Sequence, residues 1–275
     1  MSLKPVSLNL KPVLYVGLGA YLILMVLPFV WLLISSLKTT TEMFSSPFAP
    51  PAVLHWSNFA EAWGTGVAKY LLNSLFVTGL SVVAILLVSG LAAYALARSE
   101  FPGRTGFYVL LITGYAIPIH TVLVPLYEML RSANALNSYA GLVLPYVAFG
   151  IPFSVLLLYA FFLDFPKELE EAARLDGCNE WQLLARVVAP LSLPGLSSVA
   201  IFQGVFIWNE FLLALILISD DGLKTLPFGL VVFQGSYASN WPLLLASVTM
   251  ATVPILLLYL LLQRQFVNSL AGIGK

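Results

Sequence analysis

Long apolar stretches separated by short polar clusters set the pattern of this chain. Six of them, residues 13–36, 70–97, 106–130, 139–163, 195–219 and 241–263, are long enough to cross a membrane, since a hydrocarbon layer of ~30 Å takes about 20 helical residues. Helix is the expected form, because a segment in lipid must satisfy its own backbone hydrogen bonds. The alternation and short turns of a β-barrel are absent. The first run is longer than the apolar core of a signal peptide, about 7–15 residues, and no small-x-small cleavage site follows it. It reads as a retained membrane helix.

One polar segment differs from the others. Between Asp164 and Pro190 stand Asp164, Glu168, Glu170, Glu171, Asp176 and Glu180 against Lys167, Arg174 and Arg186. Pro166 suits the first turn of a helix, acids after it complement the positive helix end, and Gly177 suits a left-handed stop. The pattern predicts about three turns over residues 166–176. Leu169, Ala172, Ala173 and Asp176 then share one face by i, i+3, i+4 spacing. The alanines permit close approach of another backbone, with Glu171 and Arg174 beside them to fix register. A second short helix follows, with Trp181, Leu184, Ala185 and Val188 on its apolar face, and Pro190 ends it; that face is expected to pack against the membrane bundle and anchor the first helix. Taken alone, the segment is either an interfacial loop helix or a docking element for a soluble partner.

The basic residues orient the chain. Lys4, Lys11, Arg98, Arg104, Lys167, Arg174, Arg186, Arg264 and Lys275 fall on one side, and only Lys38, Lys69, Arg131 and Lys224 on the other. This puts both termini and the charged loop in the cytoplasm. Of the external loops, 38–69 is turn-rich, with Trp56 and Trp63 suited to the interface. The loop 220–240 joins a polar turn, Asp220-Asp221-Gly222, to an apolar stretch at 226–233 that must fold back on protein or meet a partner.

Composition agrees with a membrane location. The chain is 60% hydrophobic and 9% charged, with mean hydropathy +0.93, whereas a soluble domain carries about 25% charged residues. A formal net charge of zero gives no footprint for nucleic acid, and the single Cys178 and two histidines supply no metal or haem site. Glu210 lies nine residues inside the fifth run, ~13 Å deep at 1.5 Å per residue. A carboxylate there must face the bundle or a wet cavity. With Gln203, Trp208 and Asn209 it either lines a solute path or ties this span to its neighbours. His120, between Pro118 and Pro125 in a run bent by those prolines, either faces a cavity or packs, and Glu128 pairs with Arg131 or reaches water.

The string Pro166-x-Glu168-Leu-Glu-Glu-Ala-Ala-x-x-Asp176-Gly177, with Trp181 after it and Pro190-Leu-x-x-Pro194 beyond, resembles the EAA loop of ABC-importer permeases. The likeness is strongest to the carbohydrate (maltose-type) group of binding-protein-dependent permeases, in its shorter six-helix partner subunit. Asn73-Ser74, Ala92-Ala93-Tyr94-Ala95, Pro125-Leu126-Tyr127, Trp208-Asn209-Glu210-Phe211, Thr225-Leu226-Pro227 and Gln265-Phe266-Val267 extend it from Tyr70 to the C-terminus.

The resemblance implies an all-α polytopic protein of six transmembrane helices, with the type I importer fold, in the bacterial inner membrane. It divides the chain into residues 1–69 (N-terminal segment, first helix and external loop), a 70–263 permease core with its coupling loop at 164–194, and a cytoplasmic tail at 264–275. It makes Glu168, Glu171, Ala172, Ala173, Arg174, Asp176 and Gly177 the coupling residues, pushed by a separate ATPase. It makes Gln203, Trp208, Asn209 and Glu210 pathway candidates, and Asp220, Asp221, Gly235 and Tyr237 candidate contacts to an external solute-binding protein. The implied partners are a second permease subunit as a heterodimer, two copies of a cytoplasmic ATPase, the binding protein and the lipid bilayer. No metal and no cofactor is expected on this chain, with ATP and Mg2+ held by the ATPase. Gly274-Lys275 lacks the spacing of a phosphate-binding loop. The expected cargo is a di- or oligosaccharide, or otherwise a polar solute such as a glycerol-phosphate compound. A secondary transporter would carry paired mid-membrane charges and inverted repeats, and a membrane enzyme would need a convergent catalytic set; neither is evident.

Overall fold

Helices make up most of the backbone in the computed structural model, which describes residues 11–233 and 240–272, and no strand occurs among them. In chain order they are α1 (Lys11–Ser36), α2 (Thr40–Ser45), α3 (Ser57–Ala62), α4 (Ala68–Arg98), α5 (Arg104–Ala116), α6 (Leu123–Ser132), α7 (Tyr139–Leu163), α8 (Lys167–Leu175), α9 (Glu180–Leu183), α10 (Ala189–Leu191), α11 (Leu193–Trp208), α12 (Leu212–Leu217), α13 (Leu226–Gly229) and α14 (Trp241–Gly272). Four helical stretches are long and apolar enough to span a membrane: Leu14–Ser36, Ser57–Arg98, which is kinked at Gly66 (φ 145°), Tyr139–Leu163 and Trp241–Leu260. Two bent pairs raise the number to six, Arg104–Ala116 with Ile119–Ser132 at 90° and Glu180–Leu191 with Leu193–Trp208 at 72°.

The third apolar run is therefore not the straight helix that hydropathy suggests, and the fifth is interrupted as well, at a point of its own, since the 72° bend falls at Ser192 ahead of that run. In the third, Pro118 forces the residue before it out of the helical region. Ile117 is extended at φ −75°, ψ 118°, and a 3-10 turn, Ile119–Val122, restarts the chain. In the fifth, helix stops at Trp208 and resumes at Leu212. By contrast α7 keeps Pro145 and Pro152 within one continuous helix.

The described residues fall into two compact units, one from 11–65 with 232–233 and 240–250, and one from 66–231 with 251–272. In the first, the segment read from sequence as a turn-rich loop contains α2 and α3. Thr39 and Glu42 form a reciprocal capping box at the start of α2. The Lys38 ammonium is buried and donates to the carbonyls of Ser46 (2.8 Å) and Pro47 (3.0 Å), while the Asn58 amide donates to those of Ser36 and Lys38. Most of α1 is exposed along its length.

The second unit is built on α4 and α7, which run parallel and pack along their lengths, with α11 against both. The inward stripe of α4 is Tyr70, Asn73, Ser74, Val77, Ser81, Ile85, Ser89, Ala93 and Leu96, a 3–4 residue spacing with many small side chains. Small residues let helix backbones approach closely where lipid offers no hydrophobic drive between helices. Gly150 of α7 leaves room for the Ile85 side chain, which a methyl group at that position would overlap. Gln203 of α11 donates to the Gly150 carbonyl (3.1 Å) and the Ser154 hydroxyl (3.0 Å), locking the third helix to the pair.

Candidate functional site

The charged loop forms α8, one residue shorter at each end than the pattern suggests: Pro166 is the residue before the helix rather than within its first turn, and Asp176 the residue after it. Its end follows from Gly177, which sits at φ +85°. The Cys178 amide bonds the Ala173 carbonyl (3.0 Å) and the Gly177 amide bonds that of Arg174 (3.1 Å), the pairing of a Schellman stop, which glycine adopts without strain. Across this turn Arg174 grips Glu180 with two bonds, Nε to Oε1 at 3.0 Å and Nη2 to Oε2 at 3.2 Å. Those bonds hold the Glu180 carboxyl below its ordinary range.

The inward face of α8 differs from the one that spacing suggests. Glu170 and Ala173 are buried, whereas Leu169, Glu168, Glu171, Ala172, Arg174 and Asp176 are exposed. The reason lies in α4: Arg98 Nε donates to Glu170 Oε1 at 2.7 Å and the Tyr94 hydroxyl to Oε2 at 3.1 Å. Arg98 Nη2 also donates to the Phe165 carbonyl at 2.8 Å. Side-chain exposure is only 9% for Arg98 and 3% for Glu170. One acid among several is thus selected for burial by a partner far away in sequence, and no local signal could have singled it out.

The next segment keeps Leu184 and Val188 inward, as its spacing suggests, and adds Leu183 and Val187, while Trp181 is 72% exposed and Ala185 is exposed. An Asn179–Gln182 capping box starts α9, and a π-turn, Leu184–Val188, follows it. Leu175, at 89% exposure, projects beside Arg174. The α8 surface is therefore a protruding, rigidly braced helix with apolar and charged groups facing outward.

A second polar cluster lies at the opposite end of α4. Asp221 accepts from Lys69 and from the Tyr70 hydroxyl (2.8 Å), and pairs with Lys224 at 3.2 Å. The bonds from Lys69 and then Tyr70 lower its carboxyl to about 2. The Asn73 amide donates to the carbonyls of Gly222 and Lys224, both at 2.9 Å, and Ser74 Oγ accepts the Leu226 amide at 2.7 Å. Asn137 Oδ1 takes the amides of Ser219 (3.0 Å) and Asp220 (2.8 Å). The apolar continuation folds back on protein: Leu226, Phe228 and Gly229 are buried, Gly229 against the Tyr70 ring. Gly235 and Tyr237 lie outside the described residues.

The four pathway candidates are dispersed in role. Gln203 is spent on α7, and Trp208 is buried beside an apolar cleft lined by Leu75, Gly79, Gly204, Pro254 and Leu258. Asn209 is exposed and its amide bonds the Val205 carbonyl (2.8 Å). Glu210 accepts from the Tyr146 hydroxyl (2.6 Å) and from the amides of Leu213 (2.8 Å) and Ala214 (3.3 Å). His120 is exposed in the 3-10 turn at the bend of the third span, and Glu128 and Arg131 pair at 3.4 Å.

Helices long and apolar enough to cross a membrane, two further spans that are broken, and a charged exposed helix between α7 and α11 mark a polytopic membrane protein. Residues 85–270 match the family of binding-protein-dependent transport system inner membrane components, and the chain belongs to that family. It is 39% identical over 258 residues to the probable ABC transporter permease protein YurM of Bacillus subtilis (strain 168), covering 94% of this chain and 86% of that protein. It is 36% identical over 252 residues to the diacetylchitobiose uptake system permease protein NgcG of Streptomyces coelicolor, covering 90% of this chain and 83% of the relative. Among solved structures, a chain of a bacterial ABC transporter involved in the import of the acidic polysaccharide alginate superposes with a TM-score of 0.84 over 97% of this chain and 100% of that chain, at 20% identity. The fold is that of type I importer permeases, and the family makes the protein a multi-pass inner membrane component of a binding-protein-dependent transport system.

Proposed function

We propose that this chain is the six-span permease subunit of an ATP-driven importer of di- or oligosaccharides. In this reading α8 is the coupling helix that a separate ATPase polypeptide pushes. The α8 geometry carries the reading: Leu175, Glu171 and Arg174 are exposed on a helix whose other side is fixed by buried Glu170 and Ala173 and closed by the Gly177 turn. A helix built to take a push needs an accessible face and a rigid base, and α8 has both. The charge asymmetry of the loops supports placing α8 and both termini in the cytoplasm. ATP and Mg2+ bind the ATPase, present in two copies, and this chain binds no cofactor. The exposed apolar length of α1 suits lipid and a second, related permease, with which this chain forms a heterodimer.

NgcG is named for diacetylchitobiose uptake, which supports an oligosaccharide as cargo. The 219–226 segment suits the binding-protein side, where Asp220 and Asp221 are exposed on a pinned loop. Of the pathway candidates, Asn209 and half-buried Glu210 at the helix break are those placed to meet solute, because broken spans are where transporters expose polar groups at membrane depth. The test is uptake in proteoliposomes holding this chain with its co-purified permease, ATPase and binding protein. Accumulation of a labelled oligosaccharide that requires both ATP and binding protein is the expected result. Uptake driven by an ion gradient without the ATPase would overturn the proposal.

A further inference from the structure

The two polar clusters sit at opposite ends of one helix. α4 has 31 residues and is therefore about 46 Å long at 1.5 Å per residue. At its end, Tyr94 and Arg98, one turn apart, both hold Glu170 of α8, and Arg98 also holds the Phe165 carbonyl that leads into it. At its start, Lys69, Tyr70, Asn73 and Ser74 hold Asp221, Gly222, Lys224 and Leu226. Each grip spans about a turn of α4, so neither partner segment can swivel on a single bond. From these we infer that α4 is a transmission rod, with Arg98 and Tyr94 as positioning residues at one end and Asn73 and Lys69 at the other. Through it, displacement of the coupling helix moves the 221–226 loop directly.

The inference rests on the reading of α8 as the ATPase contact. Its physical basis is that both grips are specific and α4 is unbroken between them. The buried Arg98–Glu170 pair resists separation, because each partner would be left as an unpaired buried charge. The third and fifth spans, by contrast, contain a break that would absorb axial motion. Packing of α7 alongside, with the Tyr139 hydroxyl on Asn73 Oδ1 at 2.8 Å and the Tyr94 ring edge-on to Phe162, stiffens the rod at both ends. Coupling of this kind is reciprocal: a loaded binding protein acting on the 221–226 loop biases the position of α8, and so the ATPase.

The experiment uses the complete complex in proteoliposomes and reads the ratio of ATP hydrolysis with and without solute-loaded binding protein. Glu170→Gln with Arg98→Gln loosens the α8 grip, Asp221→Asn with Asn73→Ala loosens the loop grip, each pair counted as one change at its end, and the combined variant loosens both. The rod predicts that each single change lowers the ratio at least about fivefold and that the double is no worse than the more severe single. Reductions that multiply, or a ratio unmoved by either single change, overturn the rod. If Glu170→Gln with Arg98→Gln fails to insert, Tyr94→Phe replaces it in the same cycle, since it removes only a hydroxyl. Leu175→Asp, on the exposed face of α8, separates the two ideas. A lowered ratio there with a multiplicative cycle sinks the rod alone, and no effect on assembly or ratio removes the coupling role of α8 and the rod with it.

Discussion

The Tyr146 hydroxyl donates a 2.6 Å hydrogen bond to Glu210, whose two oxygens also take the amides of Leu213 and Ala214. One carboxylate thereby satisfies the first amides of α12 and fastens the break of the fifth span to α7. The acid does the work that a side-chain N-cap does in a soluble helix.

Glu210→Leu should leave the Tyr146 hydroxyl and two amides without their acceptor, at roughly 1–3 kcal/mol for each buried group left unsatisfied. Glu210→Gln keeps an acceptor oxygen and should lose less. Thermal unfolding of the purified complex in detergent ranks them: wild type most stable, then Gln, then Leu. Equal midpoints for Gln and Leu would show that the cap is not what holds the break.

Gly177 stands at φ +85°, a conformation that costs other L-residues about 1–2 kcal/mol. Gly177→Val should therefore fray the last turn of α8 and weaken coupling while the chain still inserts. Gly177→Asn, which tolerates the left-handed region better, should retain more. Amide hydrogen exchange at Gly177 and Cys178 reads the fraying, and the ratio of solute taken up to ATP hydrolysed reads the coupling.

Asp221 titrates from 3.8 down to about 2, first because of the Lys69 bond and then the Tyr70 bond. A carboxyl whose folded value is depressed stabilises the fold fully above its ordinary value and ceases to as pH falls through the folded one. The Asp221 tether should thus be intact throughout about pH 5 to 8 and fail only between 3.8 and about 2. Wild type and Asp221→Asn should differ in stability by a constant amount near neutrality and converge in that acid window. Convergence already near pH 6 would contradict the assignment.

Gly150 faces Ile85 so closely that an added methyl group overlaps it. Gly150→Ala should cost on the order of 1–3 kcal/mol, the usual penalty of overpacking, and Ile85→Val in the same chain should recover part of it. Thermal unfolding of the single and double variants checks this, and a Gly150→Ala chain as stable as wild type would mean that α4 and α7 are not in close contact there.

Hydropathy made the spans legible because crossing a membrane imposes length and apolarity on every one of them. It could not show the break after Trp208, since Asn209-Glu210 reads as polar residues inside an apolar run, and only the Tyr146 hydroxyl and the following amides reveal the acid as a cap. The end of α8 was legible from Gly177, because a left-handed stop leaves a mark in the sequence. Its inward face was not. Glu170 is one acid among several, and Arg98, which selects it for burial, lies 72 residues away. The exposure of Trp181 was not legible either, because nothing local sets it apart from Leu183, which the fold buries two residues on.

The most direct test of the account is a photo-crosslinking residue at Leu175, the most exposed large side chain of the α8 segment, in the complex assembled in its membrane. The account predicts an adduct with the ATPase subunit whose yield changes when ATP is trapped in the closed dimer. An ATPase that co-purifies with this chain yet never crosslinks from Leu175, in any nucleotide state, would contradict α8 as the coupling helix.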